Sequence, residues 1–383
     1  MVDLQTQYKR IQQEIDEGIR EVIESAAFVK GPKVRAFAEH LAAWLGVRHV
    51  IPVGNGTDAL QIALMSLGLE RGDEVITPSF TFVATAEAAA VLGLKPVLVD
   101  VDFDTFNIDV EALRRAITPR TKAIVPVHLF GQCANMEAIL EIAREHHLRV
   151  IEDACQAIGA EYRFSDGRVE KAGCMGDLGC TSFFPSKNLG CYGDGGAIFT
   201  NDDELAERAT QLANHGSKVR YHHDLVGVNS RLDAIQAAIL DAKLPHLTEY
   251  TAARQKAAAY YDKALSGNEH ILLPARDAKS THVFHQYTLR LVGCDRDRVR
   301  EQLTADGVPA MVYYPVPLHL QAAYIEQEDV KGLRSKANCP VAERLAECVL
   351  SLPMHTELEE EQLEHISTCV LRAVQSSRFK VQG

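Results

Sequence analysis

The chain reads as an α/β protein: a large domain built on a mostly parallel sheet, followed by a smaller C-terminal α/β domain. Three observations carry this. Short β-rich runs alternate with longer helical ones from residue 49 to residue 154. The helical runs are long enough to cross back over a sheet, which covers both faces and makes neighbouring strands parallel. After about residue 245 the texture changes, and a new set of strands and helices begins.

The elements follow in order. Ile11, Ile15, Ile19 and Val22 recur at helical spacing, so an amphipathic helix opens the chain. A second helix starts at Pro32 and puts Val34, Phe37, Leu41 and Trp44 on one face. The strand candidates are HVIPV (49–53), DEVITP (73–78), KPVLVD (95–100), TKAIVPV (121–127) and LRVIEDA (148–154). CTSFF (180–184) and GAIFT (196–200) add two more, joined by a glycine-rich loop. HLTEYTAARQKAAAYYDKAL reads as an alanine-rich linking helix. Beyond it come a strand at 285–292, a helix near 296–305, a strand AMVYYPV at 310–316 and two C-terminal helices. The expected domains are 1–245 and 246–383, a division in keeping with a 383-residue length that exceeds one simple core.

Composition narrows the function. The chain is 46% hydrophobic and 24% charged, ordinary for a soluble globular protein. A net charge of −12 argues against nucleic acid or an anionic membrane surface as the main partner. The N-terminus, MVDLQTQYKRIQQEID, is too polar for a signal peptide, and no apolar run approaches a membrane span. Nine cysteines, scattered and without a CxxC, fit a reduced cytoplasmic protein.

In a parallel α/β sheet, ligands bind beyond the carboxyl ends of the strands, so the loops there are the places to look. VGNGTDAL (53–60) is a glycine-bracketed turn into a helix, whose first free amides, with the Thr57 hydroxyl, suit a phosphate. Thr57 or Asp58 could equally be a helix cap. The nucleotide fingerprints GxxxxGK[ST] and GxGxxG are absent from this place. IEDACQ (151–156) carries Glu152 and Asp153, which the pleat turns to opposite faces. SFFPSKNLGCYGDGG (182–196) holds Lys187 behind two aromatics and a proline. An exposed loop lysine is one reading. The other is a partly desolvated amine, which loses its proton more readily and can form a Schiff base.

A phosphate cup, a carboxylate and a Schiff-base lysine, each after a strand, are together what pyridoxal phosphate requires. The carboxylate keeps the ring nitrogen protonated. Opposite charges about 4 Å apart interact by roughly 4 kcal/mol at an effective dielectric near 20, or about three pKa units.

At this point the chain resembles the DegT/DnrJ/StrS-type sugar aminotransferases, which have the aspartate-aminotransferase fold (PLP-dependent fold type I). The likeness runs through VDLQTQY, GNGTDAL, GDEVITPSFTFVATAEA, EDACQAIGA, SFFPSKNLGCYGDGGAI, NSRLDAIQAA and YYPVPLHLQ. It implies that Lys187 carries the cofactor, Asp153 pairs with the ring nitrogen, Gln156 contacts the ring hydroxyl and Phe82 stacks on the ring. Gly56, Thr57 and Ser182 would bind the phosphate, and Asn229 would reach it from the second subunit of a homodimer with shared active sites. Arg231, Tyr313, Tyr314 and His319 are expected on the substrate side. Related enzymes that remove a sugar hydroxyl have histidine at the lysine position, so Lys187 favours transamination.

The resemblance looks closest to enzymes acting on UDP-linked 3-keto-2-acetamido uronic acids, with glutamate as donor, in surface polysaccharide biosynthesis. A 4-keto-6-deoxy nucleotide sugar, or a non-catalytic regulator that only binds the cofactor or a nucleotide sugar, are the alternatives. The polar stretch between EDACQAIGA and TSFFPSK, within residues 161–180, is expected to be a surface hairpin, and the sequence assigns it no function. No metal is expected: His146–His147 and His222–His223 lack a carboxylate or cysteine framework. Cys191 has no general base beside it in sequence and reads as packed.

Overall fold

Five strands lead the chain through the large sheet: β1 (His49–Val53), β2 (Glu74–Pro78), β3 (Lys95–Val99), β4 (Thr121–Ile124) and β5 (Arg149–Asp153). A short pair follows, β6 (Glu161–Arg163) and β7 (Val169–Lys171), then β8 (Leu178–Ser182) and β9 (Gly196–Thr200). The computed structural model describes residues 1–325 and 337–378. The sheet has seven strands in the order β1-β9-β8-β5-β4-β2-β3. The pairs from β3 to β8 are parallel, and β9 runs against both of its neighbours. Pro52 in β1 and Pro96 in β3 sit on the two edge strands, where a missing N–H costs no ladder bond. Inner strands such as β2 are buried at every residue, as a sheet covered on both faces requires.

The covering helices come from the sequence pattern. Helix Gly56–Ser66 follows β1, and Asn55 caps it by accepting from the Asp58 amide at 2.8 Å. Neither Thr57 nor Asp58 is the cap. Helix Ala84–Val91 buries Ala86, Ala88 and Ala89, side chains short enough for close approach to the sheet. The opening helix expected at the N-terminus is two, Leu4–Arg10 and Gln12–Ser25, and Ile11 and Ile15 pack against Ile239. In helix Pro32–Leu45, Phe37, Leu41 and Leu45 are buried, with Trp44 packed alongside. Helix Ala234–Lys243 leads by a 3-10 turn into the long helix Leu247–Leu265. Among the described residues no helix is long and apolar enough to cross a membrane.

Two small sheets complete the chain. The segment HGSKVRYHH folds as the pair β10 (Ser217–Val219) and β11 (His222–His223), with His222 and His223 exposed. β12 (Ile271–Leu272), β13 (Tyr287–Leu291) and β14 (Val349–Leu352) form an antiparallel three-stranded sheet. One apolar cluster joins it to the large sheet: Phe80, Phe106 and Phe130 pack with Tyr287, Leu289 and Leu350.

The strand expected at 310–316 does not form. Met311 makes a single bridge to Ser351, and the chain then turns away. Pro315 and Pro317 each lack the amide that a ladder needs.

The 161–180 stretch is a hairpin, β6 against β7, but not merely a surface one. Tyr162, Phe164 and Ala172 are buried. The segment after β7 wraps a carboxylate. Glu152, fully buried, accepts from the amides of Gly173 (2.9 Å), Met175 (2.6 Å) and Gly176 (2.6 Å) and from His128 Nε2 (2.8 Å). The other ring nitrogen of His128 accepts from the Ala134 amide at 3.1 Å, so the histidine is neutral and donates to Glu152. In Glu152→Gln an amide nitrogen would face some of these donors. We expect a loss of about 3 kcal/mol in denaturant unfolding, with faster proteolysis between Ala172 and Gly176.

Candidate active site

Loops beyond the carboxyl ends of β1, β5 and β8 meet around one cavity of about 800 Å³. Gly56 and Thr57 enter it after β1, Asp153 and Gln156 after β5, and Ser182 and Lys187 after β8. Phe82, Tyr313 and Tyr314 complete its walls.

At one end, Gly56 and Thr57 open a helix, so their amides have no carbonyl one turn earlier to bond. A Cβ on Gly56 would sit 2.7 Å from Ser182 Cβ and 3.1 Å from Cys155 Sγ. Only glycine lets the helix start lie this close to the end of β8, which brings the Ser182 hydroxyl beside the free amides. That donor set fits a phosphate.

Asp153 is 5% exposed. One carboxylate oxygen accepts from Thr85 Oγ1 at 2.8 Å, the other from the Cys155 amide at 3.1 Å. Both contacts aim a charged group at the cavity. Gln156 is fixed at both ends of its amide: Oε1 accepts from the Phe130 amide at 2.9 Å, and Nε2 donates to Tyr314 Oη at 3.0 Å. Burial pushes the Tyr314 phenol up, so it stays protonated. Phe82 is 55% exposed, a large apolar face open to the cavity.

Burial pushes the Lys187 amine down from the usual lysine range, while Cys155 and Asp153 pull the other way. An amine so placed is more readily neutral than one on the surface. The loop after it is held firmly. Cys191 is buried, with Sγ 3.0 Å from the Phe183 carbonyl, and burial pushes its thiol up to about 11. Lys243 donates to the Gly190 carbonyl at 2.8 Å. Cys191 is a packed side chain.

Three expected site residues lie elsewhere. His319 is buried between Ser79 Oγ (2.6 Å) and Glu343 Oε1 (3.1 Å) and does not line the cavity. Leu318 bonds the Ser79 carbonyl, and that turn fixes the histidine away from the cavity. Asn229 is exposed and bridges Asn214. Arg231 is exposed beside a separate cleft of about 340 Å³ that it shares with Lys30. Sequence reasoning also missed residues. Thr85 was hidden in an alanine-rich helix. His285 and Gln286 line the cavity just before β13, in a stretch read as plain strand.

The cavity fits pyridoxal phosphate: a phosphate cup at a helix start, a carboxylate, an open aromatic face and a desolvated amine stand around one space. Among the described residues no group of three or more His, Cys, Asp or Glu side chains is placed to hold a metal ion.

Comparison with known proteins agrees. A UDP-2-acetamido-2-deoxy-3-oxo-D-glucuronate aminotransferase of Pseudomonas aeruginosa is 49% identical over 366 residues, 95% of this chain and 97% of that protein. A UDP-N-acetyl-3-dehydro-α-D-glucosamine 3-aminotransferase of Acidithiobacillus ferrooxidans is 46% identical over 98% of this chain and 97% of its own. The crystal structure of S. venezuelae DesV in complex with a ketimine intermediate superposes with a TM-score of 0.91, at 39% identity and 98% coverage of both chains. The family model of the DegT/DnrJ/EryC1/StrS aminotransferases matches residues 9–371, and with these relatives along nearly its whole length the chain belongs to that family.

Proposed function

We propose that this pyridoxal phosphate-dependent aminotransferase moves an amino group from glutamate to a nucleotide-linked keto-sugar, a UDP-linked 2-acetamido-3-keto-uronic acid in the first instance, in the cytoplasm. The single observation behind the chemistry is the meeting of Lys187, Asp153 and the Gly56–Thr57 helix start around one cavity. The 3-keto sugar is supported by both relatives, whose sugars carry a 3-oxo or 3-dehydro group. They differ at one point: the first sugar is a glucuronate and the second a glucosamine. The second relative therefore favours a neutral 3-keto sugar as the alternative.

When bound, pyridoxal phosphate supplies an aldehyde for the amino group and a ring that withdraws electrons from the carbon losing its proton. The residues would do the rest. Gly56, Thr57 and Ser182 would bind the phosphate, and Phe82 would cover a ring face. The Asp153 carboxylate, held in aim by Thr85, would keep the ring nitrogen protonated. Gln156, fixed by Phe130 and Tyr314, would serve the ring hydroxyl. Lys187 would hold the aldehyde, and its Nζ, when free, would take the proton from the donor carbon as general base.

The reading includes a homodimer with shared sites and a smaller unit formed by residues 246–383. Asn229 and Arg231 are exposed and outside their own chain's cavity, which supports their service to the cavity of a second copy. Such an interface is isologous. Arg231 suits a sugar carboxylate because a guanidinium binds it with two bonds.

Lys187→Ala should fold but give no borohydride-trapped pyridoxyl adduct and lose at least about a hundredfold in rate. A trapped adduct on another lysine sinks the assignment. Mixing Lys187→Ala subunits with Asn229→Ala subunits should restore activity in verified heterodimers, since one site per pair stays intact. No recovery counts against sharing. For the substrate, kcat/KM on the keto-uronate should exceed that on its neutral counterpart by about tenfold, the worth of a charged hydrogen bond. Arg231→Ala should erase most of that preference. Equal rates on both sugars would leave the aminotransferase and remove the uronate.

A further inference from the structure

Lys243 ends helix Ala234–Lys243 and is 1% exposed. A lysine this deep is a costly way to fill space, since its ammonium loses water and needs a partner. No carboxylate among the described residues acts on it: burial pushes the amine down to about 8, and Cys191 alone pulls the other way. Its Nζ donates to the Gly190 carbonyl at 2.8 Å and lies 4.3 Å from the centre of the Tyr192 ring. An apolar side chain would cost less here, unless that carbonyl has to be held.

The carbonyl belongs to the loop that carries Lys187. The loop closes on itself, because the Phe183 carbonyl accepts from the Cys191 amide at 2.8 Å and from Cys191 Sγ at 3.0 Å. Within it the Lys187 amide donates to the Phe184 carbonyl at 2.8 Å. A Cβ on Gly190 would come within 2.4 Å of the Pro185 carbonyl oxygen and 2.9 Å of that same Phe184 oxygen. Gly190 therefore packs directly on the turn in which Lys187 stands, and a shift of its peptide carries to that turn. Asn188 fixes another point of the loop, donating to the Val283 carbonyl at 2.9 Å. Gln236, two turns before Lys243 on the same helix face, accepts from the Tyr192 amide at 2.8 Å. One helix face thus grips the chain on both sides of Cys191.

We propose that Lys243 is a positioning residue for Lys187: by holding the Gly190 carbonyl it fixes the closed loop 183–191, and with it the point from which the Lys187 amine reaches the substrate proton. This deepens the reading of Lys187 as the base and rests on it. The Tyr192 ring serves the clamp by covering the ammonium, so that the carbonyl rather than water takes its N–H. Without the clamp Lys187 would still bond the aldehyde, since that bond tethers it. The cost would fall on proton transfer, which needs a set distance and angle.

The test is Lys243→Met, which keeps the length of the side chain and drops the donor. In cofactor-free protein, hydrogen exchange of the backbone amides of residues 186–192 should speed up by about tenfold, while those of β5 keep their rates. In the cofactor-loaded enzyme, the half-reaction with glutamate, scaled to bound cofactor, should reach a limiting rate about tenfold lower at an unchanged half-saturating concentration. With α-deuterated glutamate the isotope effect should be at least that of the unmutated protein, which marks proton transfer as the slowed step. An equal rise in exchange in both segments or in neither, a loss that shows as weaker glutamate binding, or a smaller isotope effect each overturns the proposal. If Lys243→Met does not fold, Tyr192→Leu decides. Tyr192 is 36% exposed, so its loss empties no core, and uncovering the ammonium should give the same signs at smaller size. No change in either measurement there overturns the proposal. Failure of the underlying reading shows separately, as a borohydride adduct on a lysine other than Lys187. A donor other than glutamate shows as no half-reaction in the unmutated protein, and the exchange measurement still decides on Lys243.

Discussion

Glu152 and Asp153 end the same strand, and the pleat sends their carboxylates to opposite faces of the sheet. Most of the site hangs on that division. On one face Glu152 gathers three backbone amides and a histidine, which ties the segment before β8 to the end of β5. A Cβ on Gly179 would come within 2.0 Å of the Gly173 carbonyl oxygen, so the two segments lie in direct backbone contact. β8 is thereby held in register, and Ser182 at its end meets the helix start at Gly56. On the other face Asp153 is free to serve the cavity. A slip of one residue in β5 would exchange the two carboxylates and lose both arrangements.

The second constraint is electrostatic. A chain of net charge −12 that works with phosphates must create its attraction locally. At the end that fits a phosphate, the cavity offers backbone rather than side-chain charge, the first amides of a helix. The amine at its centre lies opposite a carboxylate, yet burial outweighs that attraction and lowers its hold on a proton. A surface lysine with the same neighbours would stay an ammonium and could not act as a base.

Much of this was legible from residues alone. Runs such as HVIPV and GAIFT have the β-branched content and length of strands, and both occupy the residues expected. Lys187, the Gly56 turn and the Glu152–Asp153 pair stand out because strand ends are where ligands bind and those ends can be counted from the alternation; the choice of Asp153 over Glu152 came from the family resemblance. What escaped depends on contacts remote in sequence. His285 lies 98 positions after Lys187, and no local pattern marks it as a neighbour. His319 sits in a motif that resembles a substrate contact, but a turn bound to Ser79 takes it away from the cavity. AMVYYPV has strand composition, and Pro315 within it, with Pro317 just after, overrules it. Nor does composition say that the stretch after β7 belongs to a buried carboxylate, since glycines in a loop read as flexible until their amides are seen to be used.

The apolar cluster that joins the two sheets bears on how the enzyme can move. Phe80 meets Phe106 and Tyr314, Phe106 meets Phe130, and Gln156 reaches across to Tyr314 by a hydrogen bond. Three of these residues, Phe130, Gln156 and Tyr314, also line the cavity, so its wall and this seam share side chains. Swinging one part open on a hinge would part the edge-on contact of Phe80 with Tyr314, break the Gln156–Tyr314 hydrogen bond and uncover buried surface. These contacts favour a seam that stays shut, with Phe82 and Phe184 exposed at the cavity's open side. A cavity entered beside a seam that stays closed would screen reactants by size before any group inside is tested for fit.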